Sequence, residues 1–346
     1  LLNEEVAIAA LRRDPGGLTT TGSANMAPGA IPAAMLLFMD DAWVIALQWG
    51  QLQTRVTNLM DELAEVGLAL GPGKTQVLAA PASPPGALRM HGEIIPPVPV
   101  GTPVSALGTG VGFRIPVNTP MKEACTRARG AYWGQHTLFL REGPISKKIQ
   151  LFERTVQATA LWNAGSFLPQ KQGLQALNSC QAKLVRHMRG KSRLPGEDWL
   201  TWEIRTLRRA RGDIHQWAMG RWSTIALQRV WELWGHIARQ EGVTRETLRW
   251  RNLHWWREEQ RRAGGSRHPG RFCPNIDPER LIQAAVDRAS SGRETWEEVA
   301  QDRLRWRDLR STFIDLYDVP WATERQTALE DGDRLLPLPP PPSPPE

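Results

Sequence analysis

The amino-acid sequence predicts an α+β protein, with a small antiparallel sheet and one helix in its first third and helices alone thereafter. Three observations lead there. Short aliphatic runs bounded by Gly, Pro and Asp are confined to the residues before Thr119, the mark of short strands and tight turns. From Thr119 onward apolar residues recur at helical spacing, punctuated by Pro144, Pro169, Pro195, Pro269 and Pro320. Fourteen of the sixteen Trp lie beyond residue 130, so the helical part carries its own apolar mass, and most of those rings are expected in the core. These shifts divide the 346 residues into an irregular entry segment (1–34), a sheet-and-helix domain (35–118), a helical bundle (119–194), a further helical region (195–316) and a proline-rich tail (317–346), expected to be extended and disordered.

Taken in order, residues 1–34 are poorly patterned, with a short helix at Val6 to Leu11 and a Gly/Thr/Ser/Pro/Ala loop after it. Met35-Leu36-Leu37-Phe38-Met39 and Ala42-Trp43-Val44-Ile45-Ala46-Leu47 are apolar runs separated only by Asp40-Asp41. They predict two buried strands joined as a hairpin, with the acids at its turn. Neighbouring strand residues face opposite ways, so the two acids need not share a role. One reading is a solvated turn, where Asp is common. The other follows from the greasy flanks: carboxylates near a buried sheet repel each other and lose hydration unless a cation or a proton compensates.

Leu52, Val56, Leu59, Leu63 and Val66 then recur at helical spacing, with Asp61, Glu62 and Glu65 off the stripe. This predicts an amphipathic helix from about Gly50, ended by Gly67 as a C-cap. Gly73-Lys74-Thr75 imitates the end of a phosphate-binding loop, but that pattern requires Gly where Leu68 stands, and it follows a strand, not a helix. A strand at Gln76 to Ala80, a hairpin at Leu88 to Ile95 turning at His91-Gly92, and short strands at Val98 to Val100 and Ser105 to Phe113 complete the sheet region. Thr119-Pro120 suits a helix start. Helices are expected at 119–141, 145–163, 171–189, 213–240, 244–262, 278–291 and 293–316.

Charge is unevenly spread. Residues 1–120 hold 6 Lys/Arg and 9 Asp/Glu, residues 121–271 hold 28 and 12, and residues 272–346 hold 9 and 15. The basic middle block is either an electrostatic footprint for a phosphate backbone or a set of solvated Arg-rich helix faces. No stretch approaches the roughly 20 uncharged apolar residues of a membrane span. The three cysteines, Cys125, Cys180 and Cys273, are far apart in sequence, which suits a reducing compartment and argues against a disulfide framework. His254, His268 and Cys273 match no zinc-ligand spacing.

Phe38-Met39-Asp40-Asp41 resembles the aromatic-x-Asp-Asp signature of reverse transcriptases, followed by an apolar strand. Gly67-Leu68-Ala69-Leu70-Gly71-Pro72-Gly73-Lys74-Thr75 resembles the Gly-Leu-x-Leu-Asn-x-x-Lys-Thr segment of non-LTR (LINE-like) retrotransposon polymerases, with Gly71 in place of Asn. Leu107-Gly108, expected in a short strand, resembles their Tyr-Leu-Gly, with Ala106 in place of Tyr. The resemblance implies that 35–118 is part of a polymerase palm, 119–194 a thumb and 195–316 the region beyond it. It implies an RNA-directed DNA polymerase acting on an RNA template, a DNA primer and dNTP, with Mg2+ as cofactor. Asp40 would bind the metal, Asp41 would bind or orient it, and Lys74 would meet the triphosphate, the alternative for Lys74 being an ordinary surface lysine. Lys147, Lys148, Lys183, Arg186, Arg189, Lys191 and Arg193 would grip the duplex backbone. In the resembled family a first catalytic aspartate and a Gln-Gly motif precede the hairpin. Residues 1–34 carry neither, so the chain is expected to be a C-terminal portion of such an enzyme. Trp296, Asp302-Arg303 and Trp306-Arg307 resemble a C-terminal Trp…Asp-Arg-x-x-Trp-Arg pattern of the same elements, with a helix-stabilising cluster of indoles and ion pairs as the favoured reading.

Overall fold

The computed structural model describes residues 35–38, 41–46, 48–81, 83–116, 118–190, 192–240, 276–290 and 294–319. The expected helix at 244–262 and the entry segment 1–34 lie outside the described residues. The architecture is α+β, with three two-stranded antiparallel ribbons followed by helices. Two compact units emerge, one from Leu1–Pro116 and Arg239–Glu279, the other from Val117–Ala238 and Arg280–Glu346.

In the first unit, β1 (Met35–Phe38) pairs with β2 (Asp41–Val44), β3 (Leu88–Met90) with β4 (Glu93–Ile95), and β5 (Val104–Ala106) with β6 (Thr109–Val111). His91-Gly92 and Leu107-Gly108 both have positive φ at the two central positions, as two-residue hairpin turns require. Leu107-Gly108 therefore forms a turn, not part of a strand. The strand expected at Gln76 to Ala80 shrinks to one bridge, Val77 to Pro97, and Val98 to Val100 forms none. Pro96, Pro97 and Pro99 lack the N–H groups a longer ladder would use.

Helix α1 (Trp49–Glu65) organises this unit. Val56 packs with Val77, Leu88 and Met90, and Leu59 and Leu63 pack with Val44 and Leu70. The helix ends in a Schellman motif: Leu68 N donates to Leu63 O at 2.8 Å, Gly67 N donates to Ala64 O at 3.1 Å, and Gly67 has φ +75°. Gln53 holds β3 from the side. Its Nε2 donates to the Arg89 carbonyl and its Oε1 accepts from the Arg89 N–H, both at 2.9 Å.

The second unit is helical: α2 (Thr119–Gly134), α3 (His136–Leu140), α4 (Ile145–Phe152), α5 (Lys171–Arg189), α6 (Trp199–Gln216), α7 (Trp222–Arg239), α8 (Ile276–Ser290), α9 (Trp296–Gln301) and α10 (Arg303–Tyr317). Four of the expected helices need correction. The 119–141 helix breaks at Gln135, and 145–163 continues from α4 through a π-helical turn, Glu153–Gln157, and stops at Ala160. Helix α6 was not foreseen, and the single helix expected at 213–240 is two. Between them Met219 N donates to Ile214 O and Ala218 N to His215 O, a Schellman turn built on Ala218 at φ +51°. The 293–316 helix divides at Asp302, whose carboxylate accepts from the N–H groups of Leu304 and Arg305 and starts α10. The tail begins later than 317, because Asp318 is bound by side chains of α7 and Val319 is buried; residues 320–346 lie outside the described ones.

Buried apolar residues of α2 recur at 121, 124, 125, 128 and 132, the stripe that packs on α5. An aromatic column continues the core: Tyr132 stacks on Phe139 at 4.9 Å, Phe139 meets Phe152, and Phe152 meets Trp222. The start of α7 is enclosed. Asn178 and Gln181 of α5, both buried, accept from the N–H groups of Ser223 and Trp222 and donate to Ser223 Oγ and the Gly220 carbonyl. Asp318 accepts from Ser223 Oγ, Thr224 Oγ1 and Arg221. Trp231 and Trp306 stack at 3.9 Å, and each indole N–H donates to the other's backbone carbonyl, at 2.7 and 3.0 Å. Trp296 is buried nearby, so the Trp…Asp-Arg-x-x-Trp pattern is here a core cluster with a helix cap.

Gly235 admits that indole, since a Cβ there would lie 2.1 Å from Trp306 Nε1. Alanine gains about 1 kcal/mol over glycine in a helix, but overpacking a rigid ring costs about 1–3 kcal/mol. Gly235→Ala is therefore expected to destabilise the protein, read as a lower urea midpoint at unchanged slope.

Candidate functional site

The register Phe38↔Asp41 leaves a two-residue connection, Met39-Asp40, between β1 and β2. Asp40 lies outside the described residues, as does the side chain of Asp41, whose backbone opens β2. The ribbon is tied down after β2: Val44 joins both apolar clusters of α1, and the Arg55 guanidinium, in the buried face of α1, donates to the Ile45 carbonyl. Helix α1 packs on both β2 and β3. Lys74 closes a 3₁₀ turn, Pro72–Lys74, with its N–H on the Gly71 carbonyl at 3.0 Å and its side chain exposed.

Of the expected duplex contacts, Lys147 and Lys183 are exposed, Lys148 is half-buried, and Arg193 is exposed between α5 and α6; Lys191 lies outside the described residues. Arg186 and Arg189 instead engage partners within the unit. Arg189 makes a bidentate pair with Asp213, whose side chain is 0% exposed, at 2.6 and 2.9 Å, and lies over the Trp217 ring. Arg186 pairs with Glu203 at 3.3 Å and lies over Trp202. Other members of the basic block are also committed. Arg205 grips Glu197 with two bonds of 2.7 Å, which holds the Glu197 carboxyl down to about 2. Arg127 and Arg229 donate to the carbonyls of Thr159, Trp162 and Leu161, where the third helix of the bundle ends. Arg211 is buried, which pushes it down to about 10, with the Arg208 charge adding to the effect.

Two of the cations that stay outside, Arg129 and Lys183, lie along one helix pair. Helices α2 and α5 run side by side in the same direction, as the pairings Met121 with Gly173, Cys125 with Ala176 and Trp133 with His187 require. Their open side shows Arg129 and Trp133 of α2 and Lys183 and His187 of α5. Trp133 reads from sequence as one more core indole, so spacing alone did not single it out. His187 is held below its usual range by burial and then by the Arg186 charge, which leaves it neutral at pH 7.

Among the described residues no group of three or more His, Cys, Asp or Glu is placed to hold a metal ion. No helix of the described residues is long and apolar enough to cross a membrane.

Breaking a buried ion pair from one side costs about 3 kcal/mol where the other charge is left alone. Asp213 keeps Arg209 at 3.3 Å, so Arg189→Met is expected to cost about 1–3 kcal/mol in urea unfolding, whereas Lys183→Met, on the open face, should change stability by less than about 0.5 kcal/mol. No family model, curated protein or solved structure matches the chain.

Proposed function

We propose that the chain is the palm-to-thumb part of an RNA-directed DNA polymerase of the non-LTR retrotransposon kind. One observation carries the reading: an antiparallel ribbon whose second strand opens with Asp41, directly after Asp40, is anchored by an amphipathic helix that also holds the next hairpin. The anchored ribbon supports a substrate-binding role for the adjacent carboxylates Asp40 and Asp41.

The donor set suits Mg2+ in kind, since this hard cation takes one or two carboxylates together with substrate phosphates. Asp40 and Asp41 would hold it. When bound, Mg2+ supplies charge stabilisation to the attacking 3′-oxygen and the leaving pyrophosphate. Lys74, exposed on the turn after α1, is the group of this chain proposed to meet the triphosphate. Lys147, Lys148, Lys183 and Arg193 are proposed as sequence-blind contacts to the template–primer duplex. Two adjacent acids fall short of a full two-metal clamp, so this stretch of chain alone is proposed to extend primers poorly.

A second reading, a helical nucleic-acid-binding module beside a decayed palm, is favoured by α5, which exposes Lys171 and Lys183 and carries no acid over 19 residues. The two separate on magnesium. With a recessed RNA–DNA primer–template, the polymerase reading expects affinity to rise when Mg2+ and the matching dNTP are added together, and expects Asp40→Ala to abolish the rise. Fluorescence anisotropy measures it. Binding indifferent to Mg2+, dNTP and Asp40 would leave the module alone.

A further inference from the structure

We infer that the open face of α2 and α5 is a single-strand nucleic-acid site, with Trp133 as a stacking platform for an unpaired base and Arg129 and Lys183 as its phosphate contacts. The inference rests on the reading that the helical unit meets nucleic acid, and adds which surface does so and which form it takes.

The geometry supports this from several directions. Trp133 is 49% exposed at the C-terminal end of α2, where that helix meets the last turn of α5. Its ring is fixed on the protein side, edge-on to Tyr132 at 5.3 Å and tilted against His136 and His187 at 5.9 and 5.3 Å. A large aromatic held this way keeps much of its surface in water at no gain to the core. Arg129 precedes Trp133 by one helical turn and Lys183 precedes His187 by one turn, about 6 Å along each axis. The two cations lie on adjoining edges of the helices: Trp133, one turn beyond Arg129, meets His187, one turn beyond Lys183, and Cys180 donates to the Cys125 carbonyl one turn before the cations. Cys180, buried in that seam, is held below its ordinary value chiefly by its hydrogen bond with Cys125, with the charges of Arg129 and Lys183 adding to the effect. Charge complementarity is one-sided. Helix α5 has no acid, and the single acid of α2, Glu123, lies near its opposite end. His187, neutral at pH 7, adds a flat ring beside the indole without a further charge.

The combination of a basic groove and an exposed aromatic is how unpaired strands are held without sequence preference, because every base has a face to stack. A duplex offers its phosphates to the cations but keeps its bases from the indole. An acidic peptide would use the cations and gain little from an indole fixed between two imidazoles.

The test uses the full chain, a fluorescein-labelled oligothymidylate and a blunt DNA duplex of equal length, with EDTA present so that metal chemistry plays no part. The oligothymidylate is expected to bind with a salt-dependent affinity. Trp133→Ala should weaken it by about tenfold and Trp133→Phe by much less, in line with the stacking losses seen for such platforms. Arg129→Gln with Lys183→Gln should weaken it and flatten the salt slope. Should Trp133→Ala fail to fold, Trp133→Phe and the double cation variant carry the test. Equal affinity of the parent and Trp133→Ala, or tighter binding to the duplex than to the single strand, overturns the inference while the duplex-binding reading survives. Absence of binding to either probe removes both.

Discussion

The enclosed start of α7 is the constraint from which the helical unit follows. The first four N–H groups of any helix have no partner within it, and leaving one buried and unsatisfied costs about 1–3 kcal/mol. Here Trp222 and Ser223 are fully buried, so water cannot serve. Asn178 and Gln181 reach across from α5 to meet those groups, and Asp318 returns from beyond α10 to bind the hydroxyls of Ser223 and Thr224. A carboxylate at that end is also favoured by the helix dipole. Because Asn178 and Gln181 must point inward, the rotation of α5 about its axis is set. Lys183 and His187 fall roughly opposite and face out, while Arg186 and Arg189 lie at the flank where α6 packs.

That rotation explains why net charge was an ambiguous guide. The middle block is strongly basic, and a count alone cannot separate cations that wait for a partner from cations that already have one. Arg186, Arg189, Arg205, Arg127 and Arg229 pair with carboxylates or helix-end carbonyls inside the unit. Arginine suits such places because its planar fork bonds in two directions and stacks on rings, as Arg189 does between Asp213 and Trp217. Lys122, Lys147, Lys171 and Lys183 stay outside. Any nucleic-acid surface on this unit is therefore smaller and more local than the composition suggests.

What was legible in the sequence follows the same division between local and distant causes. The Asp-Asp ribbon, the stripe on α1, its Gly67 cap and the His91-Gly92 turn each arise from neighbouring residues, and each was readable. The break between α6 and α7 was not, because the left-handed position of its turn is Ala218, which carries no sign of it. The N-cap role of Asp302 was hidden inside a run that looked uniformly helical. Helix α6 was obscured because Arg205, Arg208, Arg209 and Arg211 dilute its apolar stripe. For the candidate site, the pattern singled out the acid pair and the lysines, but it could not tell that Arg186 and Arg189 have partners on another helix, or that Trp133, unlike Tyr132 beside it, faces out.

The side-on grip of Gln53 on β3 has a bearing on how the protein behaves among copies of itself. In a two-residue hairpin the middle pair, Arg89 and Ile94, directs its backbone groups away from the partner strand. Such outward groups on a three-residue ribbon are the template on which a foreign strand adds. Gln53 supplies the acceptor and donor that an incoming strand would bring, from a helix that cannot itself propagate a sheet. This margin of the ribbon is thereby sealed against edge-to-edge association.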